Sequence, residues 1–169
     1  YKPGTPATPE ATTGNVGWHT DRQYWGSCSS EEMLTCWVPF HDCDERVGGV
    51  AFVVGSHRWG EQEGLDFFDP DLAAQLAAMA AAGHEVRTVV PVLRRGDVTF
   101  HHCRTVHGSG ANRTADPRRS IAIHLQPGDN RRVDDPATYH RNDELVRVVD
   151  GRPDYTDPRI SPVLWPVSG

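Results

Sequence analysis

One stretch of this chain, DPDLAAQLAAMAAAG at 69–83, has the composition of a helix, and short extended runs surround it. This scarcity of helices limits the fold more than any other feature. A parallel α/β sheet needs a crossover helix between most of its strands, and those helices are missing. The runs MLTCWVPF (33–40), VAFVVGSH (50–57, strand ending at Gly55), EVRTVVPV (85–92), DVTFHHC (97–103) and RRSIAIHL (118–125) are short and rich in β-branched and aromatic residues, as strands are. RRGD and NRTADP supply turns between them. Many short strands with one helix predict an all-β sandwich or barrel. In the helix, Asp69 is expected to cap the start, Pro70 to fit the first turn and Gly83 to end it.

The 169 residues suffice for one domain with a real core. Residues 3–17 are rich in Pro, Thr and Gly and read as a loop. Beyond Gln126 the chain turns Pro-, Asp- and Arg-rich, which predicts a core over 1–126 and an irregular tail over 127–169 packed on it. The net charge of -6, without a basic stripe, argues against nucleic acid or an anionic membrane as partner. No apolar run approaches the roughly 20 residues that span a bilayer. The chain opens at Tyr1 without a secretory pattern, so it reads as processed or as lacking an upstream part. Cysteines 28, 36, 43 and 103 form no C-x-x-C pair. They are expected to be reduced thiols, which suits a cytoplasmic protein.

The chemistry gathers first at GWHTDRQYW (17–25). If 18–24 is extended, His19 and Asp21 point to one face, where imidazole and carboxylate can share an ion. An H-x-D pair alone equally fits a polar surface patch, and a site needs a third donor. His107 is a candidate, expected to end a strand and open a Gly-rich turn. Two histidines and one carboxylate make the facial triad of non-haem Fe(II) oxygenases, which leaves coordination positions open.

GWHTDRQYW, GGVAFVVGSHRWG, GDVTFHHCRTVHGSGAN and PRRSIAIHL together resemble the phytanoyl-CoA dioxygenase family of Fe(II)/2-oxoglutarate oxygenases, over about 1–126. The resemblance implies a double-stranded β-helix, or jelly roll. It implies His19, Asp21 and His107 as metal ligands and catalytic centre, with Fe(II), 2-oxoglutarate and O2 as cofactor and co-substrates. It assigns the far carboxylate of 2-oxoglutarate to Arg118, whose guanidinium fork suits a carboxylate. Strand alternation puts Ser120 on the face of Arg118, and Arg119 on the opposite face with Ile121 and Ile123. Trp37 matches a tryptophan lining the co-substrate pocket, and is equally readable as a core aromatic. Tyr24 and Trp25 divide between substrate wall and packing. Of His101 and His102, at most one looks inward, and neither is expected to bind metal. His57 is expected to be structural. Asp21, where halogenases of the superfamily carry a small residue, implies hydroxylation or a related oxidation of a small-molecule substrate.

Family members carry further residues upstream, including helices that cover one sheet. Their absence here predicts a less covered outer face. The resemblance implies substrate contacts from variable loops, here 3–17, 22–32, 60–68 and the tail, and carries no implication of a CoA thioester. Two other classes share some of these features: a cupin-like metalloprotein that uses no keto acid, and a non-catalytic jelly-roll binding module.

Overall fold

The computed structural model describes residues 1–4, 14–135 and 138–165. Most of the predicted loop at 3–17 lies outside them. Two antiparallel sheets form a jelly roll. One has the order β1 (Val16–His19), β6 (His107–Ser109), β3 (Ala51–Val53) and β4 (Thr88–Val89). The other has the order β5 (Thr99–His102), β2 (Leu34–Pro39) and β7 (Ser120–Leu125). Strand alternation gives each sheet an inner face for the site and an outer face.

On the first sheet, Trp18, Ala51, Val53 and Val106 pack with Met79 of α1 (Leu72–Ala81) in one buried cluster. The Trp18 indole donates to Leu72 O at 3.1 Å, fixing helix to strand. The helix is shorter than expected and its cap lies two residues on. Asp71, not Asp69, accepts from Ala74 N, while Asp69 accepts from Asp71 N. Gly83 follows the helix with φ +92, a conformation that favours glycine.

Two expectations beside the site fail. Extended structure stops at His19, and Asp21–Tyr24 is a 3-10 turn. The Gln23 side chain accepts the Thr20 N–H at 2.9 Å and folds the chain over at that point. His107 opens a strand rather than ending one. HGS reads as a turn, but a Cβ on Gly108 would meet Val16 O at 2.9 Å, so glycine is there to let β1 approach.

The second sheet carries its apolar outer residues in the open. Phe100, Ile121 and Ile123 are exposed, with Phe100 at 61%. Arg119 is exposed with them, as alternation predicted. The free edge of β7 continues at Arg118, which exchanges both backbone hydrogen bonds with Lys2 at 2.9 Å.

The tail contains α2 (Asn142–Leu145), β8 (Val148–Val149) and β9 (Arg152–Pro153). Its Val146 and Tyr155 join Trp25, Cys28, Met33 and Cys103 in a second buried cluster. Tyr155 Oη lies 2.9 Å from Ser27 Oγ and donates to Asp143 Oδ1 at 2.6 Å. All four cysteines are free and buried. Among the described residues no helix is long and apolar enough to cross a membrane.

Candidate metal centre

His19 and His107 are direct partners across β1 and β6. Opposed residues of an antiparallel pair bring their Cβ atoms within about 5.5 Å, and the two rings lie 4.2 Å apart. The ladder itself therefore joins residues far apart in sequence. Trp18 faces α1, so its neighbour His19 faces inward. Asp21 arrives by another route than the shared strand face expected. The 3-10 turn swings it toward the opposite sheet, where its Oδ2 accepts from Thr35 Oγ1 of β2 at 2.5 Å.

One donor atom from each of His19, Asp21 and His107 lies within 4.8 Å of the other two. Their protonation suits a cation. Each histidine holds a carbonyl with Nδ1: Gly17 O at 2.8 Å for His19 and Thr105 O at 2.9 Å for His107. A carbonyl only accepts, so Nδ1 carries the proton and Nε2 keeps its lone pair. Burial pushes the His107 imidazole down to about 3 and moves His19 in the same direction. Burial raises the Asp21 carboxyl, but His101, His107 and Thr35 outweigh it and hold that group well below the usual carboxylate range. At neutral pH the cluster is one carboxylate with two neutral imidazoles, a donor set that fits a divalent transition metal.

Around it lies a network that strand patterns alone do not single out. Thr35 has one proton, given to Asp21, so its oxygen accepts from His124 Nδ1 at 3.0 Å. His101 is the inward member of its pair and is buried. Its Nε2 lies 3.3 Å from Asp21 Oδ2 but is not aligned as a hydrogen bond. Asp21 Oδ1, on the other side, faces His107 Nε2 at 3.7 Å. One carboxylate oxygen is thus held by the protein while the other faces the histidines. His101, Thr35 and His124 stand side by side across β5, β2 and β7. Thr35 was discoverable as the i−2 neighbour of Trp37, but a strand threonine carries no chemical signature of its own.

A Thr35→Val protein should bind Fe(II) about 10- to 100-fold more weakly, the usual cost of losing an outer support of a metal ligand. Thr35→Ser should restore most of the affinity. Anaerobic competition against a chromophoric chelator measures this, and equal affinity in Thr35→Val would show that the hydroxyl does not support Asp21.

Trp37 and Arg118 meet on the same inner face. The Arg118 guanidinium carbon stands 5.3 Å from the Trp37 ring centre, and both residues are buried. Arg118 donates through Nη1 to Gly48 O at 2.8 Å, and it forms no ion pair with Asp116. Gly48 has φ +72, and a Cβ there would meet Gly110 O at 2.7 Å. Ser120 lies opposite Pro39, half-buried, two residues along from Arg118. Trp25 is a packing residue, buried against the tail with an edge on His124. Tyr24 is 44% exposed at the rim, its ring 6.2 Å from His19. In the GSH turn the structural group is Ser56, which donates to Val53 O and accepts from Val106 N, while His57 is exposed.

A jelly roll with two histidines and a carboxylate converging between its sheets is the arrangement that mononuclear non-haem iron oxygenases use. The family follows from the sequence. The profile of the phytanoyl-CoA dioxygenase (PhyH) family matches residues 5–120, and the chain belongs to that family. It is 23% identical over 155 residues to the peroxisomal phytanoyl-CoA dioxygenase of Bos taurus, covering 89% of this chain and 45% of that protein. It is 28% identical over 120 residues to the 1-deoxypentalenic acid 11-beta-hydroxylase of Streptomyces arenae, covering 68% and 42%. Among solved structures it resembles the non-heme alpha ketoglutarate dependent carbocyclase SnoK from nogalamycin biosynthesis. That match has 26% identity and a TM-score of 0.59, over 82% of this chain and 52% of the other. The chain thus spans about half the length of these relatives.

Proposed function

We propose that this chain is the catalytic core of an Fe(II)/2-oxoglutarate-dependent dioxygenase that hydroxylates, or otherwise oxidises, a small-molecule substrate. Residues 1–126 are the core and 127–169 a buttress. The observation that carries the reading is the convergence of His19, Asp21 and His107, with both Nδ1 atoms engaged and both Nε2 atoms free. These three would hold Fe(II). Bound iron supplies activation of dioxygen, coupled to oxidative decarboxylation of 2-oxoglutarate to succinate and carbon dioxide.

The protein's part is to bind, orient and exclude water. His19 and His107 present neutral nitrogens from adjacent strands. Thr35 keeps Asp21 Oδ2 engaged and leaves Oδ1, which faces His107, as the oxygen that would be offered to a metal. Trp37 is two residues from Thr35 along β2, about 7 Å at the usual strand rise. The Arg118 guanidinium lies over Trp37. A five-carbon dicarboxylate reaching from the metal across that interval would place its far carboxylate at Arg118. Ser120 adds a hydroxyl on the same face. The names of several relatives refer to small molecules of biosynthesis, which supports a substrate of that size. Four buried free thiols fit a reducing, cytoplasmic setting.

Anaerobically loaded with Fe(II), then given oxygen and 2-oxoglutarate, the protein should form succinate at a slow rate even without its substrate. Metal uptake without succinate, and without any effect of 2-oxoglutarate on the bound metal, would favour a metalloprotein of another class.

A further inference from the structure

A cleft of about 410 Å3 lies between β3 and β4 of the first sheet and β5, an edge strand of the second. That volume is within the roughly 300–1,000 Å3 of small-molecule sites. Its walls are apolar: Phe52, Val54, Val89, Pro91 and Phe100. Val54, Val89 and Phe100 are exposed at its mouth, as apolar residues around a ligand groove are. Its floor adjoins the metal centre. The His101 and Phe52 rings lie 4.4 and 6.3 Å from the His107 ring, and His101 Nε2 lies 3.3 Å from Asp21 Oδ2. His101 is 7% exposed, and neither of its ring nitrogens has a hydrogen-bond partner among the described residues. Thr99 stands two residues back on the same face of β5, and its hydroxyl is buried without a partner too. Leaving buried polar groups unpaired is costly, and such groups mark places that something else completes. Among the described residues, no lysine, arginine, aspartate or glutamate lines the cleft. The other ways to the metal are taken. Over His19 the Phe67 ring stands edge-on at 4.7 Å, with Tyr24 against it. The Gly17 N–H donates to Phe67 O at 2.9 Å and ties that loop to β1. Beyond Trp37 lies Arg118, assigned to the co-substrate.

We propose that this cleft receives the organic substrate, and that it selects a neutral, largely apolar molecule whose one polar end is bonded by Thr99 and His101. This assignment rests on the oxygenase reading above and adds a substrate class to it. An apolar body of two rings would gain by leaving water along Val89, Pro91 and Phe100. Its hydroxyl or carbonyl would engage groups that the fold leaves idle, beside the carboxylate of the metal centre. An anion would lose its hydration in a cleft that offers no cation in return. The loops 22–32 and 60–68, where the resemblance implies substrate contacts, meet each other instead, at Tyr24 and Phe67 over His19.

The test is ligand-observed nuclear magnetic resonance on the full chain, with 2-oxoglutarate and either Mn(II) or diamagnetic Zn(II) at the triad. The probes are 2-naphthalenemethanol, 2-naphthalenesulfonate and naphthalene. Mn(II) should broaden the bound alcohol several-fold more than Zn(II) does, because the cleft adjoins the metal. The alcohol should bind at least about 10-fold more tightly than the sulfonate. Thr99→Val should weaken the alcohol about 3- to 10-fold, as for one hydrogen bond, and leave naphthalene unchanged. It should keep or raise the thermal midpoint, since it removes a hydroxyl that has no partner. Val89→Trp fills the mouth of the cleft from an exposed position. It should weaken the alcohol and naphthalene alike, by about 10-fold or more. No extra broadening by Mn(II), binding that Val89→Trp leaves intact, or a sulfonate as tight as the alcohol would each overturn the proposal. So would a Thr99→Val protein that loses both probes alike or unfolds at a lower temperature. Succinate formed by a protein that fails these tests sinks this assignment alone. A triad that takes up neither metal sinks the functional reading, and this assignment with it.

Discussion

Replacing Asp21 with alanine should reduce Fe(II) affinity by at least about 100-fold, since losing an outer partner alone costs 10- to 100-fold. Asp21 is the only anionic member of the triad. Without it, two neutral imidazoles would face a doubly charged ion in a half-buried site with no counter-charge, where desolvation is costly. The readout is thermal unfolding in the absence of oxygen, with and without metal. A ligand that binds the native state stabilises it by RT ln(1 + [L]/Kd). Fe(II) should therefore raise the wild-type midpoint and leave the Asp21→Ala midpoint nearly still, while the metal-free variant keeps the far-UV spectrum of the folded protein. An Asp21→Ala protein shifted by Fe(II) as strongly as wild type would show that the metal lies elsewhere.

The second large effect belongs to Arg118. Arg118→Ala should weaken 2-oxoglutarate roughly 100-fold or more, because truncating one partner of a buried charged contact costs about 2–5 kcal/mol. Iron affinity should change little, since the guanidinium stands over Trp37 and not against the histidines. Succinate formation at low co-substrate should fall accordingly and recover in part at high concentration. This split separates Arg118 from Asp21, whose loss no excess of co-substrate should repair. A variant whose iron and co-substrate affinities fell together would place Arg118 in the support of the fold.

The sequence exposes the parts of the molecule that follow a simple period. Along β7 the period of two places Ser120 with Arg118 on one face and Ile121 and Ile123 on the other, whereas β2 is buried at Thr35, Cys36 and Trp37 alike and shows no such period. The metal donors stand out only together, because the H-x-D pair alone also fits a surface patch and gains its meaning from His107 and the motifs around it. What stays hidden depends on contacts rather than periods. β6 escapes notice because glycine in HGS serves a neighbouring strand. The 3-10 turn at Asp21 depends on one side-chain bond from Gln23. Asp71 displaces Asp69 as the cap because either residue is chemically able to serve, and only geometry decides. Lys2, at the end of a Pro- and Gly-rich stretch, has no local pattern to mark it. Only pairing with Arg118 carries it inside.

The most direct measurement is a crystal structure of the protein loaded with Fe(II) under anaerobic conditions, with anomalous scattering to locate the metal. A single iron bonded to His19 Nε2, Asp21 Oδ1 and His107 Nε2, with open or water-filled positions beside them, is the predicted result. Iron bound at other residues, or no iron at the three at saturating concentration, would contradict it.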